Sequence, residues 1–262
     1  MLGLVRISFT LVGMVLAAVL ASMQVGAQDE EASAKGAVLV AGASGRTGRF
    51  IVAQLVDAGY DVRAMTRNIE RAKEKTGEDY NWVEGDVRDM DSLRAALDGI
   101  NKVVCAIGSI PSEKDTTNYP EFLEYGGVKN LVDAAKEEGV THFSLMSSAG
   151  VTHEDHMLNR LANKVLLWKM KGEDYLRSSA LSYTVVRPGG LRDHPHGEYG
   201  IYFDQGDLEL GGQISRHDVA AVLVASLSNP DAAGKTFEAF NYLANKNDRW
   251  KDEGFAVLTL DN

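Results

Sequence analysis

Short apolar runs alternate with amphipathic segments from residue 37 to residue 240. The run 37–41 is typical of a buried strand, and the helix that follows it places Phe50, Ile51, Leu55 and Val56 on its inner side. Similar patterns predict strands at 61–66, 80–84, 102–107, 142–146, 182–187 and 235–240. They also predict helices at 90–97, from Tyr125 onwards and at 165–177. A last helix is predicted to begin at a capping box formed by Ser215 and Asp218 and to end at Leu227. This alternation predicts an α/β fold, a doubly wound parallel sheet with helices on both faces in a single domain.

The first residues follow a different pattern. Met1–Arg6 carries one positive side chain, residues 7–21 are apolar, and Val25-Gly26-Ala27 is a small-residue exit before an acidic stretch. We interpret residues 1–27 as a secretory signal peptide, residues 28–35 as a disordered leader and residues 36–262 as the domain. An uncleaved N-terminal membrane anchor is the alternative, although the apolar segment is short for a spanning helix. Both interpretations place the domain on the non-cytoplasmic side, exported to the periplasm or secreted in the first case.

Composition narrows the choice of partners. The chain has 262 residues and a formal net charge of −10, which argues against nucleic acid and against electrostatic attachment to anionic lipid. After signal cleavage we expect no stable membrane association, and a monomer or small homo-oligomer that acts on a small molecule. The single cysteine, Cys105, lies in an apolar run and is expected to be a buried small hydrophobe.

The first predicted strand leads directly into three glycines with the spacing G-x-x-G-x-x-G, and a helix follows them. A glycine-rich turn can simply be a turn, but a strand before it and a helix after it are the context of a dinucleotide-binding loop. In such a loop, backbone N–H groups at the helix N-terminus hold the pyrophosphate. The predicted cofactor contacts here are Gly42, Ser44, Gly45, Arg46, Thr47 and Gly48.

Arg67 closes the second predicted strand, about 20 residues after the glycines, where the ribose contact is expected. An acidic residue there would bind the 2′-hydroxyl of NAD, whereas a guanidinium group suits the 2′-phosphate of NADP. We therefore expect NADP in preference to NAD. The alternative is a solvated surface arginine, of which Arg63 and Arg71 are nearby examples.

The carboxyl ends of the other strands carry further candidates, because ligands of such sheets bind beyond those ends. Asp86 is suited to accept a hydrogen bond from the adenine amino group, and small residues after the fourth strand allow the backbone to approach the cofactor. Taken singly, each could be a strand-ending turn. The predicted contacts are Asp86, Val87, Ala106, Ile107, Gly108, Ser147, Pro188, Gly189, Gly190 and Leu191.

Five segments together resemble the atypical short-chain dehydrogenase/reductases, in the NAD(P)-binding, NmrA-like and biliverdin-reductase-B-like group. They are 42–48, 85–87, 147–150, 183–191 and 215–220, and the likeness extends over nearly all of 36–241. The resemblance implies a Rossmann fold and an NADP(H)-dependent oxidoreductase. It implies a catalytic role for Ser148, and for Lys169 a catalytic role together with a hydrogen bond to the nicotinamide ribose.

One position departs from that family. The tyrosine that serves as general acid four residues before the lysine is replaced by Val165, which cannot donate a proton. Strongly electrophilic acceptors such as quinones and flavins need little acid assistance, so we expect them in preference to simple ketones. The rival hypothesis is a catalytically retired NADP-binding scaffold or redox sensor. An isomerase with bound NAD is disfavoured because Arg67 suits NADP.

Four histidines in polar loops, His153, His156, His194 and His196, suggest a metal site, but metal ligands usually lie on ordered elements with tighter spacing. We therefore expect no metal. A histidine from the loop 151–163 acting as proton donor near the nicotinamide is a second hypothesis.

Overall fold

The structure is a computed structural model that describes residues 35–109, 116–194, 197–208, 211–242, 249–251 and 253–261. The predicted signal peptide and nearly all of the predicted leader therefore lie outside the described residues. Within the described part of the chain, no helix is long and apolar enough to cross a membrane.

Eight strands form the central sheet, in the order β3-β2-β1-β4-β5-β6-β10-β8. Neighbours are parallel except β10 and β8, which are antiparallel. The short strands β7 and β9 form a separate parallel pair. The strands are β1 Ala37–Ala41, β2 Asp61–Thr66, β3 Trp82–Glu84, β4 Lys102–Cys105, β5 His142–Met146, β6 Tyr183–Pro188, β7 Gly190–Arg192, β8 Gly200–Asp204, β9 Gln213–Ser215 and β10 Lys235–Tyr242.

Helices cover both faces of this sheet. They are α1 Gly48–Asp57, α2 Ile69–Thr76, α3 Met90–Leu97, α4 Val128–Glu137, α5 Met157–Leu161, α6 Val165–Arg177 and α7 Arg216–Ser226, with a π-helix at Glu121–Gly127 and 3₁₀ turns at Thr116–Asn118, Pro230–Ala232 and Arg249–Lys251. On one face, α1 and α7 bury residues such as Ile51 and Val219 against the strands. On the other, α3, α4 and α6 bury Leu93, Leu131 and Leu176. The predicted doubly wound α/β sheet is confirmed.

The capping residues explain where several helices begin. Asn68 accepts a hydrogen bond from Arg71 N before α2, and Asp89 accepts from Asp91 N before α3. Ser215 accepts from Asp218 N before α7, which confirms the serine half of the predicted capping box. The Asp218 carboxylate accepts from Gly197 N and Asn241 Nδ2, so it ties α7 to the sheet edge.

The sequence prediction differs from the structure at the far edge of the sheet. Strand β8 was not predicted, and its antiparallel pairing with β10 departs from the all-parallel expectation. Pro188 is the last residue of β6 rather than the start of a turn, a position that a residue without an N–H group tolerates. The predicted polar loop 151–163 contains the short helix α5.

The chain beyond residue 248, which carries no recognisable pattern, packs on this edge. Trp250, Phe255 and Leu258 are buried in the α1–α7 core. Lys235 Nζ donates to Phe255 O at 2.8 Å. The carboxylate of Asp261 accepts from Thr236 Oγ1 at 2.6 Å and from Tyr183 Oη at 2.9 Å. These contacts fasten the segment to β6 and β10.

Candidate active site

The glycine loop between β1 and α1 is as tight as its spacing predicts. Gly42 has a φ of +85°, and a Cβ added there would lie 2.7 Å from Ala106 O. A Cβ on Gly48 would lie 2.0 Å from Gly42 O, so α1 packs against the loop only because residue 48 is glycine. Gly45 N donates to Gly42 O at 2.9 Å, which closes the turn. The N-terminus of α1, whose first N–H groups have no intrahelical acceptor, therefore starts beside β1 and β4.

An open groove of about 320 Å³ lies along this loop, at the carboxyl ends of β1, β2 and β4. It brings together nine of the predicted cofactor residues: Gly42, Ser44, Gly45, Arg67, Asp86, Val87, Ala106, Ile107 and Gly108. A Cβ on Gly108 would meet no atom within 4 Å, so the backbone there faces open space. The groove is the crevice at the switch point between β1 and β4 in which open α/β sheets bind their ligands.

Three cationic residues, Arg67, Arg71 and Lys75, line the same groove. Arg67 Nη1 donates to Asn118 Oδ1 at 2.9 Å, and Lys75 Nζ donates to Ser44 O at 2.6 Å. Arg71, given above as an example of a solvated surface arginine, is exposed, and it also forms part of the groove wall. The spacing of four residues, which repeats from 67, just before α2, to 71 and 75 within it, was the available signal.

Asp86 is held by a neighbour. Its carboxylate accepts from Arg88 Nε at 2.8 Å and from Arg88 N at 3.0 Å. The side-chain hydrogen bond from Arg88 is the largest cause that holds the pKa of Asp86 below its ordinary value. The predicted acceptor for adenine therefore lies on the groove wall as an anion that already has a partner.

A second, smaller cavity of about 10 Å³, room for one water molecule, lies deeper between β5, the π-helix and α6. Ser147, Lys169 and Ile107 line it, and Ile107 also lines the groove. Ser147 Oγ is the one buried side-chain polar atom without a hydrogen-bond partner among the described residues. Because such atoms are costly to leave unpaired, this hydroxyl is positioned for a ligand or water.

Glu124 also lines the small cavity, and the sequence analysis missed it. Its side chain is 3% exposed, and Lys169 Nζ lies 2.8 Å from Glu124 Oε2. Glu124 Oε1 accepts from Ser109 N at 2.6 Å and from Ser109 Oγ at 2.7 Å. The sequence pattern did not indicate Glu124 because this residue lies in a π-helix, where the residues that share a face differ from those of an α-helix.

Val165, which occupies the position of the family's tyrosine, lies on α6. Val165 is the first residue of this helix, one turn before Lys169, so the two share a face. Val165 is half-buried and apolar. Ser148, the predicted catalytic serine, is half-buried and its Oγ donates to Ala149 O at 3.0 Å.

The predicted contacts after β6 are packed into the sheet edge. Pro188 is buried, Gly189 N donates to Ala239 O at 3.1 Å, and Gly190 N donates to Gly212 O at 2.8 Å. Leu191 lies in β7 and packs against the α1–α7 core. These four residues line neither the groove nor the small cavity.

Arg46, also predicted to contact the cofactor, forms an ion pair with Asp193, which lies just beyond β7. Arg216 Nη1, at the start of α7, donates to the other oxygen of that carboxylate at 2.8 Å. Thr47 is buried beneath the loop. Asp193 therefore connects the glycine loop to the strand pair β7–β9.

Asp207 anchors the loop after β5, and no pattern in the sequence indicated it. The fully buried carboxylate accepts from Gly150 N at 2.6 Å and from Thr152 N at 2.9 Å. Burial alone would raise its pKa, but these hydrogen bonds outweigh burial and hold the pKa below the ordinary value. The loop that carries Ser147 and Ser148 is thereby fixed to the segment after β8.

The histidines of the polar loops have structural contacts. His153 Nε2 bonds Asp207 O at 2.8 Å, and His156 Nδ1 accepts from Leu158 N at 3.1 Å. His194 packs edge-on against Tyr199, and His196 lies outside the described residues. No three His, Cys, Asp or Glu side chains in the described ranges are grouped to hold a metal. Cys105 is fully buried, and burial raises its pKa to about 12, which makes it an unreactive thiol.

A nicotinamide dinucleotide fits these residues. The groove offers a helix N-terminus for the pyrophosphate, open backbone at Gly108, and three cations at the end where β2 closes. The small cavity, which shares Ile107 with the groove, offers a lysine and an unpaired hydroxyl.

Comparisons with known proteins agree with this geometry. A family model described as NAD(P)H-binding matches residues 42–230. Sanguinarine reductase of Eschscholzia californica is 31% identical over 246 residues, which cover 79% of this chain and 90% of that protein. An uncharacterized chloroplastic protein of Arabidopsis thaliana is 34% identical over 222 residues, 77% of this chain and 68% of that protein.

A solved structure shares the fold as well. A putative NAD-dependent epimerase/dehydratase from Bacillus halodurans superposes with a TM-score of 0.71 at 30% identity, covering 79% of this chain and 94% of that one.

Proposed function

The chain belongs to the NAD(P)H-binding family of atypical short-chain dehydrogenase/reductases, and from this premise we propose that it is an NADP(H)-dependent oxidoreductase which transfers hydride to a small electrophilic acceptor. The family makes it an NAD(P)-dependent oxidoreductase that acts on a small molecule. The choice of NADP and the nature of the acceptor are the proposal.

The observation that carries the proposal is that the groove and the small cavity share a wall residue, Ile107, at one edge of the sheet. A dinucleotide with its adenosine end beside Arg67 would direct its nicotinamide end towards Lys169 and Ser147. When bound, the reduced cofactor supplies a hydride to an acceptor that lies against its nicotinamide ring. The residues of the cavity then orient the ribose and the acceptor.

The three cations favour NADP. Arg67, Arg71 and Lys75 form one side of the groove where β2 ends, which is the position of the adenosine ribose in this class of fold. A 2′-phosphate there would accept charge-assisted hydrogen bonds from these side chains. A free 2′-hydroxyl offers these side chains no negative charge.

The apolar Val165 favours an electrophilic acceptor. Without a tyrosine hydroxyl in that position, acceptors that take hydride readily are reduced more easily than simple ketones. Sanguinarine reductase, a relative by name a reductase, supports a reductive direction. Quinones, flavins and activated carbonyls are the proposed classes.

The test is to mix the purified protein with NADPH or NADH and a panel of quinones, flavins and aldehydes, and to follow the absorbance of the reduced nicotinamide. Saturable oxidation, faster with NADPH, is expected. Calorimetric titration with both cofactors measures binding separately. Tight NADPH binding with no oxidation across the panel would instead support the rival function, a scaffold or redox sensor, which Val165 favours because a sensor needs no proton donor.

Residues 1–27 support export of the domain, because an apolar segment with a small-residue exit is typical of a cleaved signal. Sequencing the N-terminus of the protein isolated from its natural source should begin after Ala27. An intact Met1 in a membrane fraction would support the N-terminal anchor instead.

A further inference from the structure

We propose that Glu124, Lys169 and Ser147 form a proton-delivering chain that takes the place of the missing tyrosine, with Glu124 as the positioning residue for Lys169 and Ser147 as the group that donates to the acceptor. The proposal rests on the oxidoreductase function proposed above and specifies how the acceptor obtains its proton. It also assigns to Ser147, rather than to Ser148, the hydroxyl that the reaction uses.

Glu124 and Lys169 form a buried ion pair. The Glu124 carboxylate is almost fully buried and is fixed at one oxygen by Ser109 N and Oγ, which leaves the other oxygen for Lys169 Nζ at 2.8 Å. A carboxylate held at both oxygens cannot rotate, so the ammonium group has one preferred place on the cavity wall. Because Ser109 follows directly on Gly108, Glu124 also links Lys169 to the groove.

The packing of the helices brings these two charges together. A Cβ on Gly172 would lie 2.5 Å from Glu124 O, so α6 approaches the π-helix closely only because residue 172 is glycine. Lys169 lies one turn before Gly172 on the same helix. A π-helix costs regular hydrogen bonding and is frequently found at functional sites. Here it places the Glu124 carboxylate beside Lys169 and Ser147 in a cavity whose other lining residues are apolar.

The Ser147 hydroxyl is the group placed to donate the proton. Ser147 Oγ lines the same cavity, is buried and has no hydrogen-bond partner among the described residues, whereas Ser148 Oγ already donates to Ala149 O. The cavity of about 10 Å³ has room for one water molecule. A water there would meet three polar groups, the Ser147 hydroxyl, the Lys169 ammonium and the Glu124 carboxylate.

A carbonyl acceptor would place its oxygen in the small cavity, where the water otherwise lies, and would take the proton of the Ser147 hydroxyl as a hydride reaches its carbon. When the product leaves and water returns to the cavity, Ser147 would regain a proton from that water. The water would regain one from the Lys169 ammonium. The Lys169 side chain is 16% exposed, which gives its neutral amine access to a solvent proton before the next turnover. One hydride and one proton are added, and one oxidised cofactor is formed.

A pair of acceptors separates proton delivery from every other role of these residues. Reduction of 4-nitrobenzaldehyde needs a proton on oxygen, whereas reduction of the N-methylacridinium cation forms a neutral product with the hydride alone. We therefore measure single-turnover hydride transfer from NADPH to each acceptor by stopped flow. The readout is the ratio of the aldehyde rate to the acridinium rate, which cancels changes in folding and in cofactor binding.

Two variants test the chain, each with a matched control. Ser147→Ala should lower the ratio by about 100-fold, the scale of general acid catalysis, and Glu124→Gln by about tenfold. Ser144→Ala removes a buried serine of β5, the strand that ends directly before Ser147, and this serine bonds Ser226. Glu121→Gln removes an exposed charge of the π-helix that carries Glu124. Both controls should keep the ratio of the unmodified protein. The unmodified protein should also show a solvent deuterium isotope effect with the aldehyde only.

Two readouts do not depend on turnover. The dissociation constant of NADPH, from fluorescence titration, should change by less than about twofold in Ser147→Ala, since the hydroxyl serves the acceptor. A crystal structure that resolves waters should show one bonded to Ser147 Oγ and Lys169 Nζ. An empty cavity, or a loss of NADPH affinity that parallels the loss of rate, overturns the proposal.

The remaining outcomes are also decisive. If both acceptors slow equally in Ser147→Ala, or if Ser148→Ala lowers the ratio instead, the proposed proton-delivering chain is wrong and the oxidoreductase function stands. If the unmodified protein reduces acridinium but no aldehyde, it has no group that donates a proton to the acceptor, and the proton-delivering chain is again wrong. If NADPH binds but neither acceptor is reduced, the oxidoreductase function fails as well.

Discussion

Arg46 in the glycine loop and Arg216 at the start of α7 share the carboxylate of Asp193, so one exposed anion joins the predicted pyrophosphate site to the strand pair β7–β9. Ion pairs as exposed as this one add little to stability, because water and salt screen them. The pair matters more for binding, because Asp193 competes with a bound diphosphate for Arg46.

Asp193→Asn should therefore tighten NADPH binding, by about threefold, the effect of removing one weak, solvent-screened charge interaction near the diphosphate. Titration calorimetry at low and at high salt measures it, and the gain should shrink as salt rises. Weaker binding in this variant would show that Asp193 supports the cofactor site by positioning Arg46.

The cationic wall of the groove predicts the cofactor preference. Arg67→Ala and Arg71→Ala should each weaken NADP binding by about 1–3 kcal/mol, the value of a lost charged hydrogen bond, and change NAD binding little. Arg63→Ala is the control, because Arg63 donates to the carbonyls of Ala96 and Asp98 and lines no part of the groove. Equal losses for NADP and NAD would remove the phosphate assignment.

Gly108 allows a test of the groove that leaves the fold intact. An added Cβ meets no protein atom within 4 Å and its φ is not in the left-handed region, so Gly108→Ala should change the free energy of unfolding by less than about 0.5 kcal/mol. The same methyl group would fill space next to the cofactor and should raise the dissociation constant of NADPH about tenfold, a loss of about 1.4 kcal/mol.

The contrasting variant is Gly42→Ala, where the φ of +85° and the 2.7 Å approach to Ala106 O predict a loss of about 1–3 kcal/mol in stability. Chemical denaturation and titration of both variants separate the two effects. Unchanged NADPH affinity in Gly108→Ala would place the cofactor elsewhere.

His142 predicts how stability depends on pH. Burial between β4 and β6 is the largest cause that lowers its pKa to about 4, and its ring bonds Ser182 and Thr184 as a neutral group. Below the unfolded value of about 6.5, the unfolded chain takes up a proton that the folded chain refuses, so stability falls as pH drops from about 6.5 to 4 and His142 adds no further loss below that.

The shift corresponds to at most about 3 kcal/mol. Urea unfolding at pH 7 and pH 4.5 measures it, and His142→Gln should reduce the difference between the two. His194→Gln, which removes an exposed ring, should leave that difference unchanged. A pH dependence that persists in full in His142→Gln would assign it to other groups.

The sequence was sufficient for the parts of the fold that local patterns specify. β2, β5, α3 and α6 were predicted with the bounds that the structure shows, because buried strands and amphipathic helices leave a periodic record. β8 was missed because it has no helix before it and owes its place to pairing with β10. The packing of Phe255 and Asp261 has the same origin, since contacts distant in sequence leave no periodic pattern.

The candidate site divides in the same way. The glycine loop and Arg67 could be predicted, because each depends on a spacing along the chain. Glu124 could not, since its importance arises from a π-helix and from the close approach of Gly172 on another element. Ser147 and Ser148 were both recognised, but only the structure distinguishes the hydroxyl that faces the cavity from the one that bonds its own chain.

The attachment of residues 253–261 to β6 and β10 determines when, during its synthesis, the protein can finish folding. Asp261 holds Tyr183 and Thr236, and Phe255 fills the core beneath them, so this half of the sheet cannot close until that segment has left the ribosome. A nascent chain of this design stays unfinished until residues 253–261 have been synthesised. If the predicted signal peptide, residues 1–27, directs secretion, that delay keeps the polypeptide unfolded enough to pass through a narrow translocation channel, and the nicotinamide cofactor is then acquired only after export.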